Sequence, residues 1–146
     1  MKKSTQITNK IKEVLEGLVR AGTIGELHVR PVDESIFNLN LGKFPVAVLP
    51  PPYILSEIET NVDNIRTYNY EILIILKTDS ITPDEPLTEL METLIDTFDN
   101  MPSLEGVAEG GVEPSTAPTS SVSDRGKNYT VFRVILKARA CATITL

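Results

Sequence analysis

The chain has 146 residues, a length that one hydrophobic core can serve, so we expect a single domain over residues 1–146. The net charge of −6, the aromatic content of 5% and the absence of tryptophan argue against broad binding to nucleic-acid backbones or stacked bases. A single cysteine, Cys141, excludes an internal disulfide, and we expect it to be a small, largely buried apolar residue. The longest apolar run, residues 72–76, is too short to span a bilayer, and the amphipathic pattern after Lys3 predicts no signal peptide.

The first predicted element is a helix over about residues 5–21. Apolar residues from Ile7 to Leu18 recur three or four positions apart and form one stripe, while charged side chains occupy the remaining faces. Gly22 suits the end of this helix, because glycine adopts the left-handed conformation there without a steric penalty.

Four strand candidates follow the first helix. They span residues 26–30, 44–49, 53–60 and 66–78. Three consecutive prolines, Pro50–Pro52, separate the second candidate from the third, and since proline donates no ladder hydrogen bond, the chain must turn or follow a sheet edge there. The fourth candidate is apolar on both faces around Leu73 and Ile75. This pattern predicts a central strand that helices cover on one side and that is at least partly covered on the other.

A second helix is predicted from Thr82 to about Met101. Thr82 suits the N-cap, Pro83 the first helical position and Glu85 the capping-box position. Leucines, Met91 and Phe98 share one side of this helix, and acidic residues recur on the nearly opposite side.

The last part of the chain combines a loop with a strand. Residues 102–127 are rich in proline, glycine, serine and threonine, which predicts a long flexible loop with at most a short strand inside. Residues 129–144 alternate apolar with polar, which predicts a long strand or a bent pair with one buried face. The order of elements predicts an α+β fold in which two helices pack on one face of an antiparallel or mixed sheet.

Candidate catalytic groups are few. His28 is the only histidine and has no serine or cysteine partner near it in sequence, so we expect a structural or surface role. Glu89, Glu92 and Asp96 share a helical face that could hold magnesium or calcium, although a solvated outer face is the simpler interpretation. We therefore predict no catalytic residue, no metal site and no cofactor.

Charge is distributed unevenly along the chain. The segment from Thr78 to Asp124 holds eleven acidic residues and no basic one, whereas the rest of the chain carries a net charge of +5. Such a monomer can pair its negative part with the positive part of a neighbour. The predicted contact joins an acidic stripe on the second helix (Glu89, Glu92, Asp96 and Asp99) to a basic row on the last strand (Arg133, Lys137 and Arg139). The simpler interpretation of the basic row is an exposed sheet face that charges keep soluble.

The order and lengths of these elements resemble those of the tail terminator, or tail-completion, proteins of long-tailed bacteriophages. The resemblance covers nearly the whole chain. The segments that carry it are the amphipathic helix Ile7–Leu18, the strand containing residues 44–48, the strand entered through Asn64–Ile72, the capped helix Thr82–Met101 and the long final strand after a variable loop.

The resemblance implies a structural virion protein without enzymatic activity. It would form a ring of six identical subunits in the host cytoplasm, end the tail tube and join it to the head-completion or connector protein, with DNA passing only as cargo and no membrane involved. Two other classes stay open from sequence: a small ligand-binding α+β protein, and a cytoplasmic metal-dependent protein that uses the carboxylates from Glu89 to Asp96.

Overall fold

A computed structural model describes residues 2–33, 36–37, 41–58, 63–77 and 84–143. Within these residues the chain forms two helices and a seven-stranded mixed sheet, a single α+β domain. In chain order the elements are α1 (Lys3–Arg20), β1 (Glu26–Val29), β2 (Val46–Leu49), β3 (Tyr53–Ile58), β4 (Asp63–Lys77), α2 (Asp84–Asp99), β5 (Gly111–Thr116), β6 (Ser120–Asp124) and β7 (Lys127–Thr143). The predicted fold class is therefore confirmed.

The centre of the sheet is one long antiparallel ladder between β4 and β7. It extends from Asp63 opposite Thr143 to Lys77 opposite Tyr129. Strands β2 and β3 lie in line along the outer side of β4, and β6 and β5 lie in line along the outer side of β7. β1 pairs with β2 in parallel, and the other pairings are antiparallel.

The three prolines interrupt the line of strands beside β4. β2 pairs with β4 as far as Leu73, and β3 resumes the pairing at Asn69. Pro50–Pro52 occupy the interval, where they leave residues 70–72 of β4 without a ladder partner on that side. The interruption follows from the missing N–H groups of proline, as the sequence predicts.

Both helices pack on one face of the sheet and enclose the larger of two cores. α1 contributes Ile7, Ile11 and Leu15, and α2 contributes Leu94 and Phe98, all of them buried. They pack on alternate residues of the two central strands: Tyr70, Ile72 and Ile74 of β4, and Phe132, Val134, Leu136, Ala138 and Ala140 of β7. α1 ends as predicted, with Gly22 at a φ of +82° just beyond it.

The second core lies on the opposite face and covers only one end of the sheet. Leu73 and Ile75 of β4 are buried there under Ile36, with Phe37 and Phe44 packed alongside. The expected apolar covering on both sides of β4 is therefore present around these two residues. Beyond Leu73, the described residues of this face are exposed or half-buried apart from Asn69, which is buried, and we call this surface the open face.

Residues 102–127 differ from the predicted loop, because they contain two strands. β5 pairs with the second half of β7, and β6 forms a hairpin with its start. The hairpin turn is Arg125–Gly126, with φ values of 51° and 78°, which a type I′ turn requires. β5 is fixed by Val112, which is buried in the helix-side core. Serine and threonine residues made this segment loop-like in sequence, but an edge strand tolerates such polar side chains.

α2 is two residues shorter than predicted at its carboxyl end, since it stops at Asp99. The predicted cap residues Thr82 and Pro83 lie outside the described residues.

Candidate functional site

The acidic stripe and the basic row lie on opposite sides of the molecule. α2 turns its apolar side to the sheet, so Glu89, Glu92, Asp96 and Asp99 are exposed on the outer side of the helix layer. Arg133, Lys137 and Arg139 alternate along β7 with residues buried in the helix-side core, so they lie on the open face. The two predicted groups are therefore not brought together within one chain.

The three members of the basic row differ in their partners. Arg139 Nη1 lies 2.7 Å from Glu113 Oε1, and this hydrogen bond and charge lower the pKa of the Glu113 carboxyl. Arg133 and Lys137 form no ion pair with any described residue. The same holds for the four carboxylates of the acidic stripe, which makes these charges available to another molecule.

A cleft of about 410 Å³ opens on the open face, where the covering of the second core stops. Its lining is Pro31, Val32, Pro50, Pro51, Tyr53, Asn69, Glu71 and Arg133. The prolines supply one wall, because they hold the chain away from β4 between β2 and β3. Asn69 and Glu71 form the floor from β4, and Arg133 reaches it from β7.

Asn69 is the one buried polar residue of the described chain, at 3% exposure, and its side-chain Nδ2 has no hydrogen-bond partner there. Glu71 and Arg133 are exposed beside it and form no ion pair with each other or with another described residue. Tyr53, at 57% exposure, stands at the rim. The cleft thus presents an unpaired buried donor, one cation and one anion next to an apolar wall.

Sequence reasoning did not identify this cleft. The period-two pattern of β4 does place Asn69 and Glu71 on the same face as Leu73, opposite Tyr70. It does not indicate where the covering of that face ends, because the covering comes from residues that are distant in sequence, such as Pro31, Val32 and Ile36.

His28 contacts Glu26 on the same face of β1, and its expected structural or surface role stays a prediction. Its Nε2 lies 2.6 Å from Glu26 Oε2, and Glu26 Oε1 accepts the backbone N–H groups of Gly42 and Lys43 at 2.8 and 2.7 Å. Partial burial acts to raise the pKa of the Glu26 carboxyl, but the hydrogen bonds from Lys43, Gly42 and His28 outweigh it and lower that pKa. The Glu26 carboxylate thereby joins the chain segment before β2 to β1.

Cys141 is exposed, so the expectation that it is largely buried was wrong. The strand phase explains the difference, because Cys141 shares the open face with Arg139, while Ala140 faces the helix-side core.

No group of three or more histidine, cysteine, aspartate or glutamate side chains is arranged to hold a metal ion in the part of the chain that the structure describes. Neither helix, over its described residues, is long and apolar enough to cross a membrane. No protein-family model matches the chain, and no curated protein is significantly similar to it in sequence.

Proposed function

We propose that this protein is a structural subunit of a virion, which forms a closed ring of identical chains, ends the tail tube of a long-tailed phage and joins it to the head connector. The observation that carries the proposal is the placement of unpaired charges of opposite sign on opposite surfaces of one small domain. The order of helices and strands, which resembles that of tail terminator proteins, supports the particular assembly.

Opposite charged surfaces suit a head-to-tail contact between copies. In a heterologous contact, one surface of a subunit meets a different surface of the next, and the series closes into a ring when the rotation permits. Glu89, Glu92, Asp96 and Asp99 offer carboxylates from the helix layer. The open face offers Arg133 and Lys137, whereas Arg139 already pairs with Glu113.

The spacing of the charges is compatible with such a contact. Glu89 and Asp99 are about 15 Å apart along the axis of α2, at about 1.5 Å per residue. Arg133 and Lys137 are about 13–14 Å apart along β7, at about 3.4 Å per residue. Two carboxylates of one copy can therefore meet two cations of the next without a change in either element.

Apolar area must supply much of the affinity, because an exposed ion pair contributes only about 0–1 kcal/mol. Three consecutive residues of β3, Tyr53, Ile54 and Leu55, are 57%, 49% and 56% exposed. β3 is also an edge strand, since it pairs only with β4 among the described strands. A contact that covers this edge would bury apolar surface beside the basic row.

The test is charge reversal on the open face. Arg133→Glu together with Lys137→Glu is expected to weaken self-association at least about tenfold in sedimentation velocity, because like charges then face each other across the contact. A matched control is Lys12→Glu with Arg20→Glu, which makes the same change in net charge on exposed positions of α1. The control should self-associate like the wild type.

The proposal fails if both double variants behave alike, because net charge and not the open face would then set the association. Measurement of the melting temperature with added ligands distinguishes the ring protein from the ligand-binding and metal-dependent alternatives. A rise in the melting temperature with magnesium or calcium, without self-association, would favour the metal-dependent protein.

A further inference from the structure

The cleft on the open face contains a hydrogen-bond donor that the chain itself leaves unused. Asn69 is almost fully buried on the cleft floor, and its Nδ2 has no partner in the described chain. A buried donor without an acceptor destabilises the folded chain, and an incoming acceptor removes that penalty. Because this amide lies at an open cleft and not in a closed core, an acceptor from another molecule can approach it.

Arg133 adds a charged donor to the same cleft. Its guanidinium is exposed and has no acidic partner within 4 Å among the described residues. A guanidinium fork binds the two oxygens of a carboxylate, and a neighbouring amide N–H can share one of them. Pro31, Pro50 and Pro51 form a wall that would exclude water from the pair and so strengthen it.

We propose that this cleft is a socket for a carboxylate from the acidic stripe on α2 of a second copy of this chain, an inference that rests on the proposed ring. Charge complementarity identifies the occupant. The acidic stripe is exposed and unpaired, and it lies on the side of the molecule opposite the cleft. Its carboxylates can therefore reach the cleft only from a neighbouring copy.

The charge of Glu71 provides a specific test of this socket. Its carboxylate also lines the cleft and repels an incoming anion. Removal of that charge should strengthen the contact, whereas removal of a charge that merely keeps the surface soluble should not. If the cleft is this socket, a negative charge at Asn69 should weaken self-association, whereas removal of the charge of Glu71, two residues along β4, should strengthen it.

The experiment compares Asn69→Asp and Glu71→Gln by sedimentation velocity of the full chain over a range of concentrations. Asn69→Asp puts a negative charge where the socket needs a donor and should weaken self-association at least about tenfold. Glu71→Gln should tighten it about two- to fivefold, the effect of one exposed charge pair. Asn9→Asp and Glu13→Gln on α1 are the matched controls, since both residues are exposed and neither lines the cleft nor lies on the open face, and both variants should stay within about twofold of the wild type.

The outcomes distinguish the socket from the ring. If Asn69→Asp and Glu71→Gln match their controls while Arg133→Glu with Lys137→Glu still disrupts the oligomer, the socket is wrong and the ring stands. If the wild type neither self-associates nor caps tail tubes, both proposals fall. Near-ultraviolet circular dichroism verifies the fold of Asn69→Asp. If that variant does not fold, Glu71→Gln decides alone, because Glu71 is exposed and its replacement leaves the core intact.

Discussion

At the scale of single residues, Gly25 shows the clearest steric requirement of the fold. It precedes β1, its N–H donates to the Pro45 carbonyl at 2.7 Å, and a Cβ added there would collide with the Lys43 carbonyl. Gly25→Ala should therefore lower the free energy of unfolding by about 1–3 kcal/mol, as overpacking does.

Gly17 provides the matched control for this substitution. It lies inside α1, where an added Cβ would meet only the end of the Arg20 side chain at 3.7 Å. Gly17→Ala should raise the free energy of unfolding by about 0.5–1 kcal/mol, because alanine favours helix. Urea unfolding measures both variants, and equal effects of the two would contradict the steric account of Gly25.

Tyr70 links stability to alkaline pH. Its ring is buried and its hydroxyl lies 2.7 Å from Thr8 Oγ1. Burial raises the pKa of the phenol from 10.0 to about 12, although the hydrogen bond with Thr8 acts in the opposite direction. The folded state thus favours the neutral phenol. The resulting stability is fully present below the unfolded pKa and is lost as the pH rises towards the folded pKa.

Tyr70→Phe isolates this contribution. The variant should be less stable than the wild type near neutral pH, by about 1 kcal/mol for the lost hydrogen bond. That difference should shrink when urea unfolding is repeated at about pH 11, because only the wild type then has this phenol to ionise on unfolding. A difference that stays constant between the two pH values would show that the phenol does not titrate with unfolding.

The sequence was informative about which residues are buried along β4 and β7, and less so about single polar residues. Period-two alternation identifies the faces of both strands, including the apolar middle at Leu73 and Ile75. Asn69 and Cys141 share the phase of the open face, but their surroundings depend on how far other segments, such as Pro31 and Val32, extend over the sheet. That extent is a tertiary property without a local signal.

At the scale of elements, the helices and the central strands could be predicted because their patterns are long and strongly periodic. β5 and β6 could not. Their polar serine and threonine residues carry no alternation, and each strand exists because β7 offers a free edge to it. The Arg125–Gly126 turn was the one local signal, since glycine favours the positive φ of a type I′ hairpin.

The β6–β7 hairpin is expected to be the first part of the isolated chain that a protease attacks. β6 is an outer strand whose serine side chains are exposed, and only Val122 packs against the second core. Local opening there exposes little apolar surface and so requires little free energy. Limited trypsin digestion should cleave after Arg125 or Lys127 before any other site, and the cleavage should slow in the assembled particle. Equal rates in the two states would contradict the expected burial of this hairpin on assembly.

At the scale of the whole molecule, the uneven charge of the sequence becomes a separation in space. The acidic stripe lies outside the helix layer, and Arg133 and Lys137 lie on the open face, with the thickness of the domain between them. Periodicity could predict that each group shares one face of its own element. It could not predict their relative placement, which depends on tertiary packing. α2 packs on the side of β7 that carries Phe132 and Val134, so the acidic stripe and the basic row face away from each other.

The proposed ring at the end of a tail tube can be tested by adding the purified chain to uncapped tail tubes and examining the tube ends by electron microscopy. We expect a ring of six subunits on one end of each tube, no further tube growth at that end, and no ring with the Arg133→Glu and Lys137→Glu double variant. Tubes that keep bare ends at high protein concentration, with the wild-type chain monomeric by light scattering in the same solution, would contradict the claim.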